Sequence, residues 1–141
     1  MKNSLEVVKL MSMLDLSVFN DRVVFENMLE DVVKLKNPES IVPLLQLLRD
    51  NADYDELMFP LIHGVEVFND RVYVGEILRG CIDLCNKSPR WASIIFMRIL
   101  NSEPTRLEFI RQLRGAEPSV KIAIKTLMEQ INARGVQFLP K

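Results

Sequence analysis

The side chains able to do chemistry are few. His63 is the one histidine in the chain. With Glu66 it forms His-x-x-Glu, one helical turn apart. That spacing is one element of a carboxylate-bridged metal site, which also needs a second such motif and further glutamates from other helices. Neither stands elsewhere in the chain, so His63 is expected to pack and hydrogen-bond within a helical layer. Cys81 and Cys85 are the two cysteines, four residues apart on one helical face. Zinc takes four ligands at close spacing, and one histidine does not complete the set. Two cysteines build no disulfide framework. With one histidine, a catalytic triad of the His-dependent kind would rest entirely on His63. Gly-x-Ser-x-Gly, a phosphate-cradling glycine loop and a dinucleotide fingerprint are all missing. The reading is a protein that is not an enzyme and that needs no cofactor and no metal.

What remains is recognition. Asp50, Asp53, Asp55 and Glu56 form the densest acidic cluster, at a turn between helices. The cluster reads in two ways: a docking patch for a basic partner, or a solvated turn that caps the next helix. Trp91 follows Pro89 and Arg90 near a helix start, and reads either as core or as an interface anchor of the Trp/Arg kind. Arg106, Arg111, Arg114, Lys121 and Lys125 cluster later in the chain. Without interleaved aromatic residues, and at a pI near 5.9, they do not favour nucleic-acid binding. The net charge of −1 hides an asymmetry. Residues 1–75 carry 13 acidic and 7 basic side chains, and residues 76–141 carry 6 and 11. Such a field steers a charged partner toward one end, unless the two halves neutralise each other.

These groups need elements to hold them. A length of 141 residues with 48% hydrophobic and 26% charged side chains is that of one globular domain, large enough to bury a core without disulfides. Residues 1–135 are expected to form a single all-α domain, with a short irregular tail at 136–141. No apolar run reaches the roughly 18 residues of a membrane span. Glu6, Lys9 and Asp15 interrupt any secretory signal, so the cytoplasm is the expected location. Apolar residues recur at three- and four-residue spacing throughout, without a period of two, which predicts eight helices. They lie near Leu5–Leu14, Asn20–Lys36, Pro38–Arg49, from Asp53, from Asn69 to near Cys85, from Pro89, over Ser102–Arg114 and over Pro118–Ala133. Asn37 and Ser88 sit at cap positions before prolines. Asp53-Tyr54-Asp55-Glu56 has the form of a capping box, and Gly115 and Gly135 close the last two helices.

The strongest internal signal is a repeat. Val18-Phe19-Asn20-Asp21-Arg22-Val23 recurs without change as Val67-Phe68-Asn69-Asp70-Arg71-Val72, an offset of 49 residues. The apolar stripe continues in character: Phe25, Leu29 and Val32 correspond to Val74, Leu78 and Cys81. Each copy then reaches an asparagine, a proline-opened helix and a Leu/Ile-rich run. In each copy the asparagine is expected to cap a helix, and the phenylalanine before it to staple onto Val24 or Tyr73. A period of 49 lies just above the roughly 40–47 residues of HEAT and armadillo units. The expected architecture is a short HEAT/armadillo-like α-solenoid or a compact helical bundle.

Two stretches also resemble a known family. They are Leu61-Ile62-His63-Gly64-Val65-Glu66-Val67-Phe68, and Pro89-Arg90-Trp91-Ala92 followed by Arg98-Ile99-Leu100-Asn101. Over about residues 40–105 the chain resembles the bacterial immunity proteins of polymorphic-toxin systems, contact-dependent growth inhibition among them, in particular immunity protein 30. The resemblance implies a helical cytoplasmic protein that binds one toxin domain, often a nuclease, and blocks its active site. His63, Glu66, Trp91, Arg98 and Asn101 are the positions it marks. The partner-binding residues expected on both grounds are Asp50, Asp53, Asp55, Glu56, Glu66 and Trp91, facing a basic protein. The alternatives are an α-solenoid adaptor for another protein and a nucleic-acid-binding helical repeat.

Overall fold

The computed structural model describes residues 3–134, with the backbone alone at Ala52, Ala133 and Arg134. The tail at 136–141 and the Gly135 cap lie outside the described residues. Among these residues the predicted helices are present and no strand occurs. The eight are α1 (Ser4–Ser12), α2 (Phe19–Leu35), α3 (Ile41–Leu45), α4 (Asp55–Val65), α5 (Asp70–Lys87), α6 (Pro89–Asn101), α7 (Glu103–Arg114) and α8 (Pro118–Arg134). Short 3₁₀ turns at Pro38–Ser40 and Ala52–Tyr54 lead into α3 and α4.

Several starts follow from their cap residues. Asn37 accepts a hydrogen bond from the Glu39 amide at 3.0 Å and donates from Nδ2 to Ser4 Oγ at 2.9 Å. Ser88 holds the N-cap position of α6 without a side-chain capping hydrogen bond, and the start is set by Pro89 at the first helical position. Other expectations need correction. Asp53 does not cap α4: it lies within the 3₁₀ turn, and Tyr54 takes the cap position. The turn is held instead by Asn51, whose Oδ1 accepts from the Asp53 amide at 3.0 Å. Asn20 caps nothing either, because α2 starts earlier, with Val18 as N-cap. Phe19 is thereby carried into the helix and is 75% exposed, so no staple onto Val24 forms in the first copy. The third helix is shorter than expected, since its first turn winds as 3₁₀ and its α-helical part ends at Leu45.

The residues fall into two compact units, Met1–Asn69 and Asp70–Lys141. In the first, α1 packs on α2 and α3, and α4 packs on α2 and α3. Met11, Leu16, Phe25, Ile41, Leu44, Met58 and Leu61 are fully buried there. In the second, α7 and α8 each pack on α5 and α6, and Val74, Ile77, Trp91, Ile95 and Phe96 are fully buried. Each such side chain contributes about 1.5–3 kcal/mol by leaving water.

The offset of 49 places α2, α3 and α4 over α5, α6 and α7 to within two or three residues at their starts. The sequence repeat thus coincides with three helix starts per copy, although α3, at 5 residues, is much shorter than α6, at 13. In the first unit the added helix, α1, precedes the repeat; in the second, α8 follows it.

The shared hexapeptide serves different local bonds in the two copies. Asp21 Oδ2 accepts from the Asp15 amide at 2.8 Å. Asp70 Oδ1 accepts from Thr105 Oγ1 at 2.7 Å, which ties the start of α5 to α7.

Candidate partner interface

The acidic turn is built around Tyr54. Its ring faces two guanidinium groups, Arg22 at 5.8 Å and Arg49 at 5.7 Å from the ring centre. Cation–π contacts of this length contribute about 0.5–1 kcal/mol each at such partly exposed sites. Asp50 and Asp55 are half-buried and engaged by neighbours in the chain. Asp53 and Glu56 are exposed. The turn therefore offers solvent two carboxylates rather than four, and two arginines stand within it.

The other marked positions are spread over both units. Glu66 is the half-buried C-cap of α4, its amide bonded to the Ile62 carbonyl at 3.1 Å. Trp91 is fully buried, with the Arg90 guanidinium 5.0 Å over its ring. Arg98 is half-buried and Asn101 exposed. His63 is exposed, which corrects its expected packing inside a layer. Pro60, also exposed and three residues before it in α4, removes the amide that would bond the Glu56 carbonyl.

Cys81 is fully buried, at the position held by Val32 in the first copy. Desolvation, with Cys85 beside it, pushes its thiol up to about 11. Burial also raises the half-buried Cys85. Both thiols therefore stay protonated and unreactive near neutral pH. Among the described residues no group of three or more His, Cys, Asp or Glu is placed to hold a metal ion. No helix among them is long and apolar enough to cross a membrane.

The basic cluster is largely tied to its own chain. Arg106 donates to the Leu100 carbonyl at 2.9 Å and Lys121 to the Arg114 carbonyl at 3.1 Å. Arg111 pairs with Glu108, whose carboxylate also accepts from Gln112. Those two hydrogen bonds hold the Glu108 carboxyl below its usual range.

One feature escaped sequence reasoning. An open groove of about 530 Å³ runs between α2 and α4, lined by Glu26, Leu29, Glu30, Val33, Pro60, His63, Gly64 and Val67. Its floor exists because Gly64 lets the helices approach. A Cβ built there would lie 2.6 Å from Val33 Cγ2. The signal in the sequence was the ladder of Glu26 and Glu30 beside Leu29 and Val33, opposite a glycine inside a helix. It becomes meaningful only once α2 and α4 are known to be neighbours.

Residues 12–109 match the family model described as Immunity protein 30. The match takes in both copies of the hexapeptide and both of the longer stretches that carry the resemblance. No curated protein and no solved structure matches the chain.

Proposed function

Because the chain belongs to the immunity protein 30 family, we propose that it neutralises a cognate bacterial toxin domain by binding it in the cytoplasm and covering its active site. Family membership over residues 12–109 is the observation that carries this reading. The charge distribution adds to it. Residues 1–69 carry twice as many acidic as basic side chains, which suits a toxin with a basic cleft, such as a nuclease. Complementary fields of this kind act mainly on the association rate.

The test is co-expression with the product of the adjacent upstream gene. Growth rescued from a toxic product, with a co-purifying complex, is the expected result. A harmless product, or toxicity that this chain does not relieve, overturns the immunity reading in favour of an adaptor. Within a confirmed complex, Asp53→Lys with Glu56→Lys tests the acidic turn, leaving the engaged Asp55 in place. Association is expected to slow by about tenfold at low salt and far less at high salt. An unchanged rate removes the turn from the interface.

A further inference from the structure

We propose that the groove between α2 and α4 is the anchoring site of the partner, and that its occupant is a basic amphipathic helix carrying apolar anchors. The proposal rests on the immunity reading for the partner's identity, but the groove's chemistry stands on the first unit alone.

The comparison between copies is the first argument. At the offset of 49, Pro60, His63 and Gly64 correspond to Phe109, Gln112 and Leu113. In the second copy larger side chains stand at these places: Phe109 turns in against α6, and Gln112 spans from α7 to α5. Phe109 is 3% exposed and packs on Phe96 with ring centres 5.5 Å apart. Gln112 reaches across to the Arg71 carbonyl at 2.9 Å, and its Oε1 would lie 3.2 Å from a Cβ at Gly75, the counterpart of Glu26. The first copy has the same helix pair without this filling, and the groove is what remains.

Charge and register are the second argument. Among the described lining residues none is lysine or arginine, whereas Glu26 and Glu30 stand four apart on one face of α2. Their counterparts in the second copy are Gly75 and Arg79, so the acidic pair belongs to the copy with the open groove. Glu30 is 3.2 Å from Lys34, but both side chains are about two-thirds exposed. Such an i,i+4 pair contributes only about 0.3–0.5 kcal/mol and yields to a better partner. Phe19 and Val23, 75% and 42% exposed, continue the same α2 face toward its N-terminus. Across the groove Val67 is 57% exposed. An apolar trough with two carboxylates about 6 Å apart along the helix axis matches a helix that presents anchors at i, i+3 and i+4 beside lysines or arginines four apart.

The test is an NMR titration of the full chain with a synthetic helical peptide of about 18 residues, leucines on one face and lysines flanking them. A second peptide keeps the leucines and replaces each lysine with glutamate. Shift changes are expected to concentrate on α2 and α4, with the lysine peptide at least about tenfold tighter than the glutamate one. Val67→Asp is expected to abolish binding, and Glu26→Lys with Glu30→Lys to reverse the charge preference. Shift changes elsewhere, no binding, or equal affinity for both peptides overturn the proposal. So does a concentration-dependent dimer in sedimentation that Val67→Asp dissolves, since the groove would then serve a second copy of this chain. Growth rescue separates the two readings. Wild-type rescue together with full rescue by the groove variants overturns the groove and leaves immunity standing. Groove-specific peptide binding without rescue does the reverse.

Discussion

Replacing Gly64 with alanine tests the geometry on which the groove depends. The added Cβ would stand 2.6 Å from Val33 Cγ2 and 3.9 Å from Leu29 Cδ1. Val33 is β-branched and held to one rotamer in a helix, so its methyl has no easy route away, and α2 and α4 must separate. Overpacking of this kind costs about 1–3 kcal/mol. Alanine returns up to about 1 kcal/mol through better helix propensity. A net loss centred near about 1 kcal/mol is expected, read as a fall in melting temperature of about 4 °C at this chain length. Val33→Ala removes the offending methyl. In the Gly64→Ala background it should restore stability, although alone it costs about 1 kcal/mol. Thermal and urea unfolding of the four proteins gives the double-mutant cycle, with an expected coupling of about 1 kcal/mol or more. A Gly64→Ala protein as stable as wild type, or two substitutions that simply add, would refute the claim that this glycine sets the helix separation.

Two further expectations are independent of the partner. Lys36 ends α2 in the left-handed region, at φ 50° and ψ 40°. Lys36→Val should cost about 1–2 kcal/mol, because a β-branched side chain resists that conformation; equal unfolding midpoints by circular dichroism would contradict it. Burial raises the Cys81 thiol to about 11, so its folded value lies above its unfolded one. Its contribution to stability is fully present below the unfolded value near 9 and is lost as pH rises through 11. Alkylation of Cys81 by iodoacetamide should accordingly stay slow up to about pH 9 and accelerate above it. Rapid labelling of the folded chain at pH 8, followed by mass spectrometry, would show that the thiol is not desolvated.

The helical periodicity and the repeat were legible because both are local. Spacing along the chain reports which residues share a face, and the hexapeptide marks equivalent places in two copies. Start positions were less legible. Asn20 looks like a cap, yet α2 continues two residues upstream of Asp21 and exposes Phe19. Asp53 looks like a cap, yet the Asn51 side chain organises that turn first. Charge density overstated the acidic turn, because Arg22 comes to Tyr54 from 32 positions away in sequence. Family resemblance picked out His63 and Glu66 within the stretch that borders the groove, but not Glu26 or Glu30. Their significance depends on α2 lying beside α4, a contact no spacing rule along one helix reports.

The difference between the copies also bears on how such a protein can change. In the second copy, Phe109 and Gln112 help hold the helices together, so altering them disturbs the fold. At the corresponding places in the first copy, Pro60 and His63 are exposed, as are Glu26, Glu30 and Val67. Exposed substitutions away from caps and buried contacts usually alter stability by no more than about 0.5 kcal/mol. The rim can therefore drift through many sequences while Leu29 and Gly64, both buried, and the half-buried Val33 keep the trough in place. A protein that must follow a changing partner gains from that separation: the surface that recognises can vary almost independently of the surface that folds.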